Sequence, residues 1–163
     1  MRNAIVLAAG VLVLLFVNYG IYQREQLLTD GRIVLLELSP VDPRSLMQGD
    51  YMRLNFAAAD QAFPSSTALL DDGHLVVALD NRGVGRFRRF ADGKPLARDE
   101  VALRYRVRGG RPNFATNGFF FEEGQAEALE NAAFGEFRVG PDGEMILTCL
   151  RGRRFQPLRA SKN

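Results

Sequence analysis

The 163 residues suffice for one domain with its own core, and they include a single cysteine and a single histidine at a net charge of +2. Cys149 alone excludes an intramolecular disulfide, and His74 alone argues against a transition-metal site, which normally gathers three or four ligands. The sequence holds no nucleic-acid recognition module, P-loop or dinucleotide fingerprint, so we expect neither a nucleic-acid partner nor a cofactor.

The N-terminal segment is strongly apolar. The run begins at Ala4 and reaches Tyr22 with Asn18 as its only strongly polar member. About 20 apolar residues in a helix span a bilayer core. The run therefore predicts an N-terminal transmembrane helix, with residues 1–25 as a membrane anchor and residues 26–163 as an extracytoplasmic β-rich domain. A cleaved signal peptide is the alternative, although no small-x-small cleavage pattern follows the run.

The residues that flank the apolar run predict its orientation. Arg2 precedes the run, and Tyr19 and Tyr22 lie where aromatic rings favour the headgroup layer. A short positive N-terminus usually stays in the cytoplasm. We therefore expect a single-pass protein of the bacterial inner membrane, held by its N-terminal helix, with a cytoplasmic N-terminus and a periplasmic domain.

The remaining sequence is rich in strand-like segments separated by turn residues. Isolated strands are predicted at Arg32–Leu38 and Tyr51–Ala57. Three hairpins are predicted, each with a glycine-containing turn: 74–79 with 84–90, 101–107 with 114–121, and a pair around 140–143 that ends at Leu150. One helix is predicted at Gly124–Phe134, with Gly135 to stop it. The fold class is mainly β: an N-terminal transmembrane helix followed by an antiparallel β barrel or sandwich with one short helix, partial parallel pairing remaining open.

The densest turn chemistry lies between Ser39 and Phe56. Gly49 permits a backbone turn that other residues resist, and Asp50 can accept backbone hydrogen bonds as the chain enters the strand at Tyr51. The segment GDYMRLNF, which ends at Phe56, resembles the signature of the membrane-anchored bacterial GDYXXLXY family, with phenylalanine in place of the final tyrosine.

The resemblance covers most of the chain, since residues 119–151 are also similar to that family. Its motif positions are Asp42, Pro43, Arg44, Gly49, Asp50, Tyr51, Leu54 and Phe56. The resemblance implies no established activity, no catalytic residues and no cofactor, and it implies an integral membrane protein as partner. The hydroxyl missing at Phe56 removes any hydrogen-bonding role there. We therefore expect a non-enzymatic, membrane-anchored accessory or binding module of the bacterial envelope.

Two alternatives remain open. A signal-peptidase-like serine hydrolase would use Ser45, because the turn around it and the later Asp80–Arg82 box with Arg86 resemble that class. Such an enzyme needs a desolvated lysine as base, whereas Lys94 lies in a turn and Lys162 in the C-terminal tail. The second alternative is a β domain that binds a lipid or another small ligand in an apolar cavity.

Charge is unevenly distributed along the domain. Basic residues dominate from Arg82 to Arg111, and acidic residues dominate from Glu122 to Glu136. The two segments face each other, or the basic one meets an acidic partner or anionic headgroups. The predicted partner surface consists of Arg86, Arg88, Arg104, Arg106 and the aromatic ring of Phe120.

Overall fold

The computed structural model describes residues 2–39, 51–64, 71–108, 111–116, 118–120, 129 and 131–158. It contains two helices and ten strands over these residues. They are α1 (Arg2–Asp30), β1 (Arg32–Glu37), β2 (Tyr51–Arg53), α2 (Ala57–Ala62), β3 (Gly73–Leu79), β4 (Val84–Phe90), β5 (Glu100–Arg108), β6 (Arg111–Phe114), β7 (Gly118–Phe120), β8 (Ala132–Val139), β9 (Met145–Gly152) and β10 (Pro157–Leu158).

Eight strands form one mixed sheet, and β2 and β7 form a separate ribbon. The order in the sheet is β10-β9-β8-β1-β4-β3-β5-β6. All described pairs are antiparallel except β1 with β4. A short turn reverses the chain from β3 into β4, and this reversal makes β4 run parallel to β1. The predicted antiparallel arrangement is therefore corrected to a mixed sheet.

The sheet curls until the turn between β8 and β9 reaches the edge of β5. The backbone N–H of Arg104 donates to the carbonyl oxygen of Gly143 at 2.9 Å. This edge is available because β6 begins its pairing with β5 only at Tyr105. One hairpin turn therefore connects two parts of the sheet that are separated by several strands.

The N-terminal helix differs from its prediction. It continues past Tyr22 through the polar stretch QREQLLTD and ends at Asp30. Within the part of the chain that the structure describes, no helix combines the length and the apolarity needed to cross a membrane. The prediction of an N-terminal transmembrane helix is therefore wrong.

The core is built around three phenylalanine rings. Phe56 meets Phe114 at a ring-centroid distance of 6.3 Å and Phe137 at 5.4 Å, both edge to face. Leu36 and Leu54 are also fully buried. Only the first three residues of the predicted strand Tyr51–Ala57 form a strand, which is β2. The chain then turns Leu54 and Phe56 inward, and the alanine-rich segment that follows forms α2, a helix absent from the sequence predictions.

Two predicted hairpins are confirmed as β3–β4 and β8–β9. In the first, the Asp80 carboxylate accepts the backbone N–H groups of Arg82 at 2.8 Å and Val84 at 3.0 Å, and Gly83 adopts φ +80°. The two backbone bonds at Val84 and Arg82 hold the pKa of Asp80 below its ordinary value. Local turn chemistry therefore decides this hairpin.

The third hairpin and the predicted helix are only partly correct. The β5–β6 pair forms, but the predicted strand 114–121 divides after Phe114, and β7 pairs with β2 instead. Residues Ala132–Phe134 of the predicted helix belong to β8, whose two neighbours β1 and β9 both pair with it. The backbone pairing on both sides of β8 outweighs the weak helical pattern of these residues. Leu129 is helical, and residues 124–128 lie outside the described residues.

Candidate functional site

A groove lies between the C-terminal turns of α1 and the sheet. Its volume is about 1090 Å³, and its walls are residues 20–31, the second half of β5 with the neighbouring β6, and the β8–β9 turn. Four arginines and three carboxylates line it: Arg24, Arg104, Arg106 and Arg108 with Asp30, Asp142 and Glu144. The groove combines both charge signs with an apolar wall.

The helical wall of the groove is fixed to the sheet. The backbone N–H of Gly31 donates to the Leu27 carbonyl at 3.0 Å, and the Arg138 guanidinium donates to the Gly31 carbonyl at 3.0 Å. A Cβ at position 31 would collide with the Leu27 carbonyl oxygen and lie 3.1 Å from Cβ of Arg138. Glycine therefore allows α1 to join β1 without a linker, which sets the direction of the helix.

The opposite wall is the β8–β9 turn, where the sheet closes. Gly143 has φ +79°, and a Cβ there would lie 2.8 Å from Cδ2 of His74 and 3.2 Å from the backbone nitrogen of Arg104. The Nε2 atom of His74 lies 3.1 Å from the Asp142 carbonyl oxygen. His74 therefore acts as a half-buried packing residue of β3 at the closure.

Two arginines of the predicted partner surface meet at the rim of the groove. Nη1 of Arg104 lies 2.6 Å and Nη2 of Arg106 lies 2.7 Å from the same Oε1 atom of Glu144. The three side chains are 41%, 47% and 38% exposed, so water screens the ion pairs and a ligand can reach them. One carboxylate against two guanidinium groups leaves a local positive charge.

The rest of the predicted partner surface lies elsewhere. Arg86 is paired in register with Ala78, whereas Arg104 is paired with His74, which is four residues away along β3, or about 13 Å. Arg88 is instead 3.4 Å from carboxylate oxygens of both Asp99 and Glu100. The backbone of Phe120 lies in β7, and its side chain is outside the described residues. Arg86 and Arg88 therefore lie apart from the pair formed by Arg104 and Arg106.

The comparison with known families decides what this chain is related to. The family model described as GDYXXLXY protein matches residues 13–150. The chain belongs to the GDYXXLXY family. No curated protein and no solved structure matches it.

The GDYXXLXY motif itself lies only partly within the described residues. Leu54 and Phe56 are each 1% exposed, so the leucine and the final aromatic position of the motif belong to the core. The backbone of Tyr51 pairs with that of Phe120. The remaining motif positions lie outside the described residues: Asp42, Pro43, Arg44, Gly49 and Asp50. Leu54 and Phe56 therefore have a structural role in the core.

The described residues include only part of what the hydrolase alternative needs. Lys94 is 75% exposed and its Nζ lies 2.7 Å from a carboxylate oxygen of Asp92, so it is not the desolvated lysine that such an enzyme needs. Asp80 caps its own turn. Ser45 and Lys162 lie outside the described residues. Among the described residues of this GDYXXLXY protein, no group of three metal-type ligands occurs.

One buried acid was missed by the sequence reasoning. Glu136 accepts the Thr148 hydroxyl at 2.9 Å and Nε of Arg151 at 2.5 Å. Burial alone would raise the pKa of Glu136, but these two donors and the charge of Arg151 outweigh it and hold the pKa below its ordinary value. This acid of the predicted acidic segment therefore pairs with Arg151 and not with the basic segment 82–111.

Glu144 was also missed, although the turn before it was predicted. Its role depends on Arg104 and Arg106, which lie 40 and 38 residues away in sequence. The local signal for the turn is the pattern GPDGE, which says nothing about the strand that the turn reaches. The groove could therefore be found only from the three-dimensional arrangement.

Proposed function

We propose that this GDYXXLXY protein is a non-enzymatic accessory module of the bacterial envelope that binds an integral membrane partner. The proposal depends on one observation: large apolar side chains of α1 are at least half exposed. They are Val6, Leu7, Val11, Leu12, Val13, Leu14, Leu15, Phe16, Val17, Tyr19, Ile21 and Tyr22. Contiguous apolar surface of this kind marks interaction sites.

The exposed side chains surround the helix. Seven consecutive positions, 11–17, are exposed, and seven residues make about two turns of an α-helix. A helix that is apolar on all sides is normally buried in apolar surroundings. Near the C-terminal end of α1, the Leu27 side chain lies beside Gly140, and the carbonyl of Gly31, directly after the helix, accepts from Arg138 of β8. An apolar partner or lipid is therefore expected along the N-terminal part of α1.

The β domain supports a binding role more than a catalytic one. Its buried carboxylates, Glu100 and Glu136, are both engaged by arginines: Arg89 donates to Glu100 at 3.0 Å, and Arg151 donates to Glu136. Both have a pKa below the ordinary value, Glu100 chiefly because the Ala97 backbone N–H donates to it. Acids held in their charged form by permanent partners stabilise a fold and are poor proton donors.

A photocrosslinking experiment in native membranes tests the proposal. A benzophenone amino acid replaces Phe16, the most exposed ring of α1, and in a control chain it replaces Leu96, an exposed apolar residue between β4 and β5. We expect an adduct with a membrane protein at position 16 and none at position 96. Equal adducts at both positions, or recovery of the chain in the supernatant without detergent, would refute the proposal.

A further inference from the structure

We infer that the groove between α1 and β5 binds the phosphate group of an anionic phospholipid. The inference rests on the proposed function, since it assumes that the chain works at a membrane. It assigns a ligand to a site that neither the GDYXXLXY motif nor the apolar helix requires. Three features of the groove support it: the arrangement of the arginines, the continuity with α1, and the size.

Arg104 and Arg106 together form a site for an anion, which we call the arginine fork. The guanidinium groups of Arg104 and Arg106 both lie within 2.7 Å of one oxygen atom of Glu144. This convergence matches the way in which two guanidinium groups hold one phosphate, by charge-assisted hydrogen bonds to adjacent oxygens. Arg108, the next outward position on β5, is exposed and lines the same groove. A phosphate group at the rim can therefore contact several donors without displacing the closure of the sheet.

The polar end of the groove continues into apolar surface. Arg24 lines the groove, and the exposed side chains of Val17 and Phe16 lie about two turns before it on α1. Phe16 is about 12 Å from Arg24 along the helix axis. A lipid with its phosphate at the arginines can therefore extend its acyl chains along α1. A soluble phosphate compound would use only the polar half of this arrangement.

The size and the opposite wall fit a headgroup with its glycerol. The volume of about 1090 Å³ slightly exceeds the range of about 300–1,000 Å³ that is typical of small-molecule sites, so a headgroup with its glycerol can be accommodated. Leu27, Met145 and Ile146 supply apolar surface beside the arginines. This combination suits an amphipathic ligand better than an inorganic anion.

Glu144 gives the inference a direction that can be measured. Its carboxylate occupies the position between the two guanidinium groups and repels a phosphate that approaches them. Glu144→Gln therefore binds anionic lipid more tightly. If Glu144 only stabilised the groove, Glu144→Gln would bind the lipid more weakly, because loss of the ion pairs would loosen the groove.

The test is native mass spectrometry of the full chain, purified in an uncharged detergent and titrated with phosphatidylglycerol or phosphatidylcholine. Arg106→Gln removes one arm of the fork, and Arg86→Gln is its control, with the same loss of charge on an exposed arginine of β4. We expect wild type to prefer phosphatidylglycerol. Arg106→Gln loses about fivefold to tenfold in affinity for it, the range of one charge-assisted contact. Arg86→Gln keeps the wild-type affinity, and Glu144→Gln exceeds it.

Several results would overturn the inference. Equal retention of the two lipids, or equal losses in Arg106→Gln and Arg86→Gln, would reduce the effect to overall charge. Weaker binding by Glu144→Gln with an unchanged thermal midpoint would exclude the fork. Complete displacement of phosphatidylglycerol by inorganic phosphate would make a soluble phosphate compound the ligand. The photocrosslink at position 16 is read separately, so that a failure of the groove leaves the partner proposal standing.

Discussion

The closure of the sheet and the N-terminal helix satisfy their side chains in opposite ways. At the closure, the backbone of Gly143, the ring of His74 and the carboxylate of Glu144 all find partners within the same chain. Along α1, the side chains from Val11 to Val17 are at least half exposed. The closure therefore satisfies its groups within the chain, whereas the apolar side chains from Val11 to Val17 are not covered by the described residues. Substitutions in the two regions should affect different measurements.

Replacing a phenylalanine with alanine in the core and in α1 should give the largest difference in stability. Phe56→Ala removes a ring from the centre of the core and should lower the free energy of unfolding by about 3–5 kcal/mol. Phe16→Ala removes a ring that is 79% exposed and should leave the unfolding of the β domain unchanged, while it weakens association of the chain with membranes. Denaturant unfolding followed by circular dichroism and membrane sedimentation separate the two effects. A stability loss in Phe16→Ala would show that α1 packs on the domain.

A pair of glycines sharpens the assignment of the closure. Gly143 and Gly93 have the same φ of +79°, but a Cβ would collide with the surroundings only at Gly143. Both alanine variants should lose about 1–2 kcal/mol through left-handed backbone strain. Gly143→Ala should lose about 1–3 kcal/mol more by overpacking against His74 and Arg104. Equal thermal midpoints in the two variants would mean that the closure contributes little to stability.

The buried pair of Glu136 and Arg151 predicts a dependence on acid. The pKa of Glu136 is lower in the folded chain than its ordinary value of 4.5, so its contribution to stability is complete above that value and is lost as pH falls through the folded pKa. Glu136→Gln should cost about 1–3 kcal/mol at neutral pH. It should also flatten the acid limb of the stability profile.

Glu37→Gln is the control for that profile, because Glu37 is an exposed acid of the neighbouring strand β1. Thermal midpoints between neutral and acidic pH provide the measurement for all three proteins. A wild-type profile that stays level through the acid range, or an equal flattening in the Glu37→Gln control, would contradict the role of Glu136.

The smallest expected effect belongs to Ser45→Ala. An accessory module should tolerate the loss of this hydroxyl, whereas a serine hydrolase would lose its nucleophile and all activity. The measurement is complementation of a strain that lacks the gene, with Lys94→Ala as a second variant. A null phenotype of Ser45→Ala in a chain that keeps its thermal midpoint would favour the hydrolase.

Local chemistry explains which parts of the fold could be predicted from the sequence. The Asp80–Gly83 turn is encoded by the residues that form it, because Asp80 accepts N–H groups only two and four residues away. The β8–β9 turn is encoded in the same way. The parallel pairing of β1 with β4 depends on segments about fifty residues apart, and no local pattern specifies it. Ala132–Phe134 have helical spacing, yet two neighbouring strands recruit them into β8.

The candidate site shows the same limit. A run of arginines made Arg104 and Arg106 of β5 visible in the sequence, but it could not separate them from Arg86 and Arg88, which lie on β4, on the other side of β3. Glu144 became part of the site only through the curl of the sheet. Residue type was therefore predictable, and the grouping of residues into one groove was not.

The joint at Gly31 has a mechanical consequence. β1 follows α1 after a single residue, and Arg138 donates a hydrogen bond to the carbonyl of that residue, Gly31. The helix is therefore fixed directly to the β domain. A molecule that binds α1 would thereby set the position and the orientation of the β domain. A rotation of α1 about its own axis would therefore move Arg104 and Arg106 toward or away from a neighbouring molecule.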